Sequence, residues 1–228
     1  MRFTTRAGAV GILFTVATCL GYGGFEVTGS LVEVEGLNQA LKTLNQERNG
    51  SGQFTYSSPL WWLGGHGGGE IGVVTFGGSG AIGVRAGHAD SLGSELVALR
   101  GDFEAGYPAA PVDWFWVRPC IEVGLAGWVT YVHSIESGTF VGDLQPDFSR
   151  WFGAWTLGAA PGIEVMGRLP SSRHSFIGLF AKASYFVPLA GPEWFLDEPP
   201  RDFDFGLSGF AVQVGLRFGK LPYRAYRI

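Results

Sequence analysis

Histidines, serines and scattered charges are the residues of this chain that could do chemistry. The histidines are His66, His88, His133 and His174. None stands at i, i+4 on a helical pattern or beside a cysteine pair, so no metal-ligand signature is present. "HSIES" (His133, Ser134, Glu136, Ser137) and "RHS" (His174, Ser175) place a hydroxyl next to an imidazole. Nucleophilic catalysis needs that pair within hydrogen-bond reach, whereas neighbours on a strand face opposite sides. We therefore read His133, together with His88 and His66, as residues near one rim of the fold, and expect no catalytic role. The glycine-rich "GGHGGGEIG" lacks the GK[ST] ending of a phosphate loop, and no helix pattern follows it. No cofactor is expected.

The remaining charges carry more information because of their spacing. Glu26, Glu70, Arg85, Arg100, Asp102, Glu104, Glu122, Glu164, Arg168, Lys182 and Arg217 all fall in alternating segments, on the less apolar face. In "WTLGAAPGIEVMGRL", Trp155, Leu157, Ile163, Val165 and Leu169 alternate with Thr156, Gly158, Glu164 and Arg168. "FWVRPCIEVGLAGWVTY" sets Val117, Ile121, Val123, Leu125 and Val129 against Arg118, Cys120, Glu122 and Ala126. "FAVQVGLRFG" sets Phe210, Val212, Val214 and Leu216 against Gln213 and Arg217. Strict alternation over many segments predicts strands.

Eight strands are predicted, at about 24–32, 58–67, 70–87, 95–107, 115–133, 150–169, 174–189 and 207–219. A tight turn is expected at Gly68–Gly69. Gly77, Gly78 and Gly80 could mark a bulge or a further hairpin; that hairpin, with an extra N-terminal strand, would give ten. "LNQALKTLNQ" spaces Leu37, Leu41 and Leu44 for a short amphipathic helix, read as a cover over one barrel mouth. Long connections at 33–57, 134–149 and 190–206 contrast with short ones at 68–69, 108–114 and 170–173, while 88–94 is a modest loop.

Composition bounds the class. Charged residues make up 16% of the chain, against roughly 25% in an ordinary soluble domain. The net charge of -4 leaves no basic footprint for nucleic acid. "MRFTTR" followed by "AGAVGILFTVATCLG" reads as an export signal over residues 1–21, with a first hydrophobic strand as the alternative. The barrel domain then spans 22–228. Cys120 would be left as a lone thiol, so no intrachain disulfide is expected.

The less apolar face is mostly Gly, Ala, Ser and Thr with isolated charges of both signs. Small residues suit the interior of an eight-stranded barrel, which has room only for side chains. Charges enclosed there must pair. We therefore expect a lumen ion-pair network of Arg85, Arg100, Asp102, Glu104, Glu122, Glu164, Arg168, Lys182 and Arg217. The apolar faces would meet lipid. Trp61, Trp62, Trp114, Phe115, Trp116, Tyr131, Trp151, Trp155, Tyr185 and Phe218 cluster toward strand ends, where interfacial girdles lie.

On this pattern the chain resembles the small eight-stranded bacterial outer-membrane barrels, the OmpA/OmpX/OmpW-like group. Its last strand, "LSGFAVQVGLRFG", looks like the terminal strand read by the barrel-assembly machinery, although "GKLPYRAYRI" follows Phe218. The resemblance implies the outer membrane of a two-membrane bacterium, outer-membrane lipid as the surrounding partner, and a monomer. The expected function is structural or loop-mediated. Three alternatives stand beside it: a narrow channel for small or apolar solutes, a soluble lipid-binding barrel, and a lipid-modifying enzyme. "PEWFLDEPPRDFDF" in the last long connection joins acidic residues to aromatics and reads as a solvated external loop.

Overall fold

The computed structural model describes residues 21–32, 35–47, 56–71, 73–89, 92–112, 114–134, 149–169, 175–191, 193–194 and 208–220. Residues 1–20 of the export-signal reading fall outside these, as do His174, Glu136, Ser137 and most of the acidic 190–206 connection.

Alternating sequence becomes extended chain throughout. The strands are β1 (Tyr22–Val32), β2 (Leu60–Ile71), β3 (Val74–Ala89), β4 (Leu92–Gly106), β5 (Ala109–Val112), β6 (Phe115–Ser134), β7 (Ser149–Leu169), β8 (Ser175–Pro188), β9 (Glu193–Trp194) and β10 (Gly209–Lys220). One helix, α1 (Glu35–Glu47), lies between β1 and β2. Strands β1, β2, β3, β4, β6, β7, β8 and β10 pair antiparallel with their neighbours, and β10 returns to β1 from Tyr22↔Gly219 to Val32↔Gly209. The sheet therefore closes into an eight-stranded barrel with no free edge. The short β5 and β9 are additions that pair with β6 and β7.

Two boundary expectations need correction. The first reversal lies between Ile71 and Val74, not at Gly68–Gly69. Gly68 is a packing position: a Cβ there would come within 2.5 Å of the Tyr22 hydroxyl oxygen and 2.2 Å of the Phe76 carbonyl oxygen. As the eight-strand reading expects, β3 is one unbroken strand, and Gly77, Gly78 and Gly80 form no hairpin. Finally, β3 and β4 run on to an Ala89↔Leu92 pair, so 88–94 is not a loop. Leu92 packs in the same core cluster as the α1 leucines.

The two faces separate cleanly. Leu125, Ile163 and Val214 are 50%, 52% and 51% exposed, while Glu122, Glu164 and Arg217 are 1%, 2% and 6% exposed. The exterior carries apolar residues on every barrel strand, among them Phe25, Leu63, Ile82, Leu99, Leu179 and Val212. Trp61, Trp114, Trp151, Trp155 and Tyr185 also point outward, and the Tyr131 and Trp151 rings lie 4.5 Å apart. Trp62 and Trp116 are exceptions to the expected girdle. Trp62 is buried in one interior cluster and Trp116 packs against another.

Candidate functional site

The lumen is filled in three layers. Toward the rim that carries α1 and the long connections, Trp62, Leu96, Trp128, Phe152 and Phe186 form an apolar plug. Leu37, Leu41 and Leu44 of α1 close it from above, as the helical spacing of those leucines predicts. The segment after α1 is latched down. Asn38 exchanges two hydrogen bonds of 2.8 Å with the Tyr56 backbone, and the Tyr56 hydroxyl donates to the backbone oxygen of Ser94 at 3.0 Å. At the opposite rim Tyr22, Met166, Phe176 and Phe180 form a second plug, with Trp116 against it.

Between the plugs runs a chain of alternating charges. Asp102 accepts from Arg100 Nε at 2.6 Å, and Arg100 Nη2 donates to Glu122 at 2.9 Å. Glu122 accepts from Lys182, whose Nζ also donates to Glu104 at 2.7 Å. Glu104 accepts from Arg118, which reaches Glu164 at 2.8 Å. Glu164 takes Arg217 in a two-pronged pair at 2.7 and 2.8 Å. Arg217 Nε then donates to His66 Nε2 at 3.1 Å, and His66 Nδ1 lies 3.1 Å from Glu26.

This order has a physical reason. Enclosing a charge costs several kcal/mol unless partners compensate it. Glu104, Glu122 and Glu164 each sit between two cations, so none relies on a single partner. Arg118 is further held by Thr75: its Nη1 donates to the Thr75 hydroxyl at 2.9 Å, and that hydroxyl donates to the Gly106 carbonyl at 3.0 Å. The Arg217 guanidinium carbon lies 4.8 Å from the Tyr22 ring centre and 5.0 Å from that of Phe180. Stacking of this kind favours a planar, weakly hydrated cation.

Of the residues expected in the network, Arg100, Asp102, Glu104, Glu122, Glu164, Lys182 and Arg217 meet in this chain. Arg85 does not join it. It lies toward the α1 rim and donates to the Ser57 hydroxyl at 2.6 Å and the Pro59 carbonyl at 3.3 Å, pinning the segment before β2. Arg168 lies near the opposite end of β7, half-buried, and its backbone N–H donates to the Trp114 carbonyl at 2.7 Å. Arg118 joins the chain from outside the expected set; it shares the two-residue period of Cys120 and Glu122, a signal sufficient to find it. His66 was expected near a rim. It lies in mid-β2, facing inward, where surrounding glycines hide the alternation. Cys120 is a buried free thiol on the lumen face.

The His133 and Ser134 side chains do not meet; His133 Nδ1 lies 3.2 Å from the Ser134 backbone oxygen instead. The imidazole stacks on Tyr131 of the exterior face at 5.2 Å, while the Ser134 hydroxyl is buried. Among the described residues, two small cavities lie in the lumen, of about 20 and 10 Å³. A single water needs roughly 10–15 Å³, so each holds about one.

No family model matches this sequence, and no curated protein matches it. Among solved structures, the chain is similar to Ail, the attachment invasion locus protein of Yersinia pestis. The identity is 9% and the TM-score 0.45, covering 88% of this chain and 98% of that one. A second similarity is to LpxR from Salmonella typhimurium, at 8% identity and a TM-score of 0.27, covering 87% and 99%. The class of protein is set by the chain's own pairing and by the sorting of its two faces: a closed, eight-stranded antiparallel barrel of the small outer-membrane type.

Proposed function

We propose that the protein resides in the outer membrane of a two-membrane bacterium as a monomeric, non-conducting barrel, and that it acts through membrane integrity and through the long connections gathered at the α1 rim. It works without cofactor, nucleic acid or catalysis, and outer-membrane lipid is its direct partner. The observation that carries this reading is the pairing of an apolar exterior with an ion-paired interior sealed at both ends. Large apolar side chains are exposed on all eight strands, and an apolar exterior on every strand is rare on a soluble monomer. The closed ladder meets the requirement that backbone groups in hydrocarbon bond within the sheet. A soluble lipid-carrying barrel would need the opposite sorting.

The experiment is expression followed by fractionation, with a gel run with and without boiling. The protein is expected in the membrane fraction with a heat-dependent shift in mobility; recovery as a detergent-free soluble monomer would refute the reading. Reconstituted in planar bilayers, it is expected to give no large steady conductance, because two apolar plugs and the ion-paired layer between them fill the lumen. Steady channels altered by substitution of Arg100, Glu122 or Glu164 would instead establish a narrow pore.

A further inference from the structure

We propose that His66 is an acid-sensitive link in the lumen charge chain, held neutral by its two hydrogen bonds and breaking the Arg217 end of the chain when it takes a second proton. A guanidinium Nε–H can only donate. Its contact with His66 Nε2 at 3.1 Å therefore requires an unprotonated nitrogen there. The ring proton then sits on Nδ1 and is donated to Glu26 at 3.1 Å. The tautomer is thus dictated by two neighbours on different strands, β10 and β1.

Protonation of Nε2 would aim one N–H at another and place two cations in contact. Histidine is the side chain whose ordinary titration falls near neutrality, and among the described chain members His66 is the only one of that kind. The groups facing it are Glu26 and Tyr22 from β1, Arg217 from β10, and Ser79 from β3. Glu104 from β4 and Lys182 with Phe180 from β8 line the same small cavity, and Glu164 of β7 reaches it through Arg217. The Phe180 ring meets the imidazole edge-on at 4.9 Å, which leaves the ring little freedom to turn away. Burial and the Arg217 contact oppose the imidazolium, while Glu26, in contact, and Glu164, behind Arg217, favour it. The adjacent cavity of about 10 Å³ offers room for a single water as the second proton arrives. Acid is therefore expected to release Arg217 from His66 and loosen the side-chain tie that joins β10 to β2 across β1. The inference concerns the lumen alone and stands whether or not the barrel lies in a membrane.

The test uses the full chain folded in detergent micelles, with unfolding rates in urea measured from about pH 7.5 to about pH 5, the span of histidine titration. The wild type is expected to unfold about tenfold faster at the acid end, the cost of one charge-assisted hydrogen bond. In His66→Gln, the amide oxygen accepts from Arg217 and the amide N–H faces Glu26, but neither titrates, so this acid-dependent step should vanish. A step that persists unchanged in His66→Gln overturns the proposal. Independently of any variant, nitrogen NMR of the wild type should show His66 protonated on Nδ1 near neutrality; a proton on Nε2 would equally overturn it.

Discussion

Replacing Glu164 by leucine is expected to destabilise the barrel by about 3–5 kcal/mol, the cost of leaving buried charge without its partner. Glu164 takes Arg118 on one side and both prongs of Arg217 on the other. Its removal strands Arg217, whose remaining chain contact is neutral His66, and leaves Arg118 with Glu104 as its one carboxylate partner in the chain. The urea midpoint of the refolded barrel, followed by gel mobility, should fall with little change in the slope. The double change Glu164→Leu with Arg217→Met should cost less than Glu164→Leu alone, because the stranded cation leaves with the anion. A loss below about 1 kcal/mol for Glu164→Leu, the scale of an exposed pair, would mean that water reaches the middle of the lumen.

The second large effect concerns the other face. Leu125 lies near the middle of β6, opposite Gly101 of β4 and Leu157 of β7, and points outward. Leu125→Arg should cost about 2–4 kcal/mol in a lipid bilayer, the penalty for a cation at the midplane of a barrel exterior. Leu169 ends β7 at the short-turn rim, so Leu169→Arg should cost only about 0–1 kcal/mol there. The difference in refolding midpoint between the two variants in liposomes is the readout. Equal and negligible effects would place both side chains in water.

How much of this was legible in the sequence depends on the kind of information each feature needs. The sorting of Leu125, Ile163 and Val214 from Glu122, Glu164 and Arg217 follows from a two-residue period, which is local. The α1 leucines were equally legible, since three of them at helical spacing have one face to bury. The partners inside the lumen were not legible. Glu104 meets Lys182 across 78 positions and Glu164 meets Arg217 across 53, and such meetings are set by strand tilt and stagger. Arg85 illustrates the limit: its period places it with the other inward charges, but its height near the rim hands it to Ser57 and Pro59. Trp62 illustrates another, because a tryptophan near a strand end can fill a plug as well as a girdle. The glycines of β2 and β3 misled the turn placement. They read as breakers in sequence, yet Gly68 leaves space for the Tyr22 ring.

The most direct test of the inside-out arrangement is a nitroxide scan along β6, one label at a time, from position 121 to 129 in protein reconstituted into liposomes. Accessibility to oxygen, which concentrates in hydrocarbon, should peak at Ile121, Val123, Leu125 and Val129, with low accessibility to a polar nickel reagent at those positions. Peaks of oxygen access at Glu122, Ala126 and Trp128 instead, or strong contact of the nickel reagent with Leu125, would contradict it.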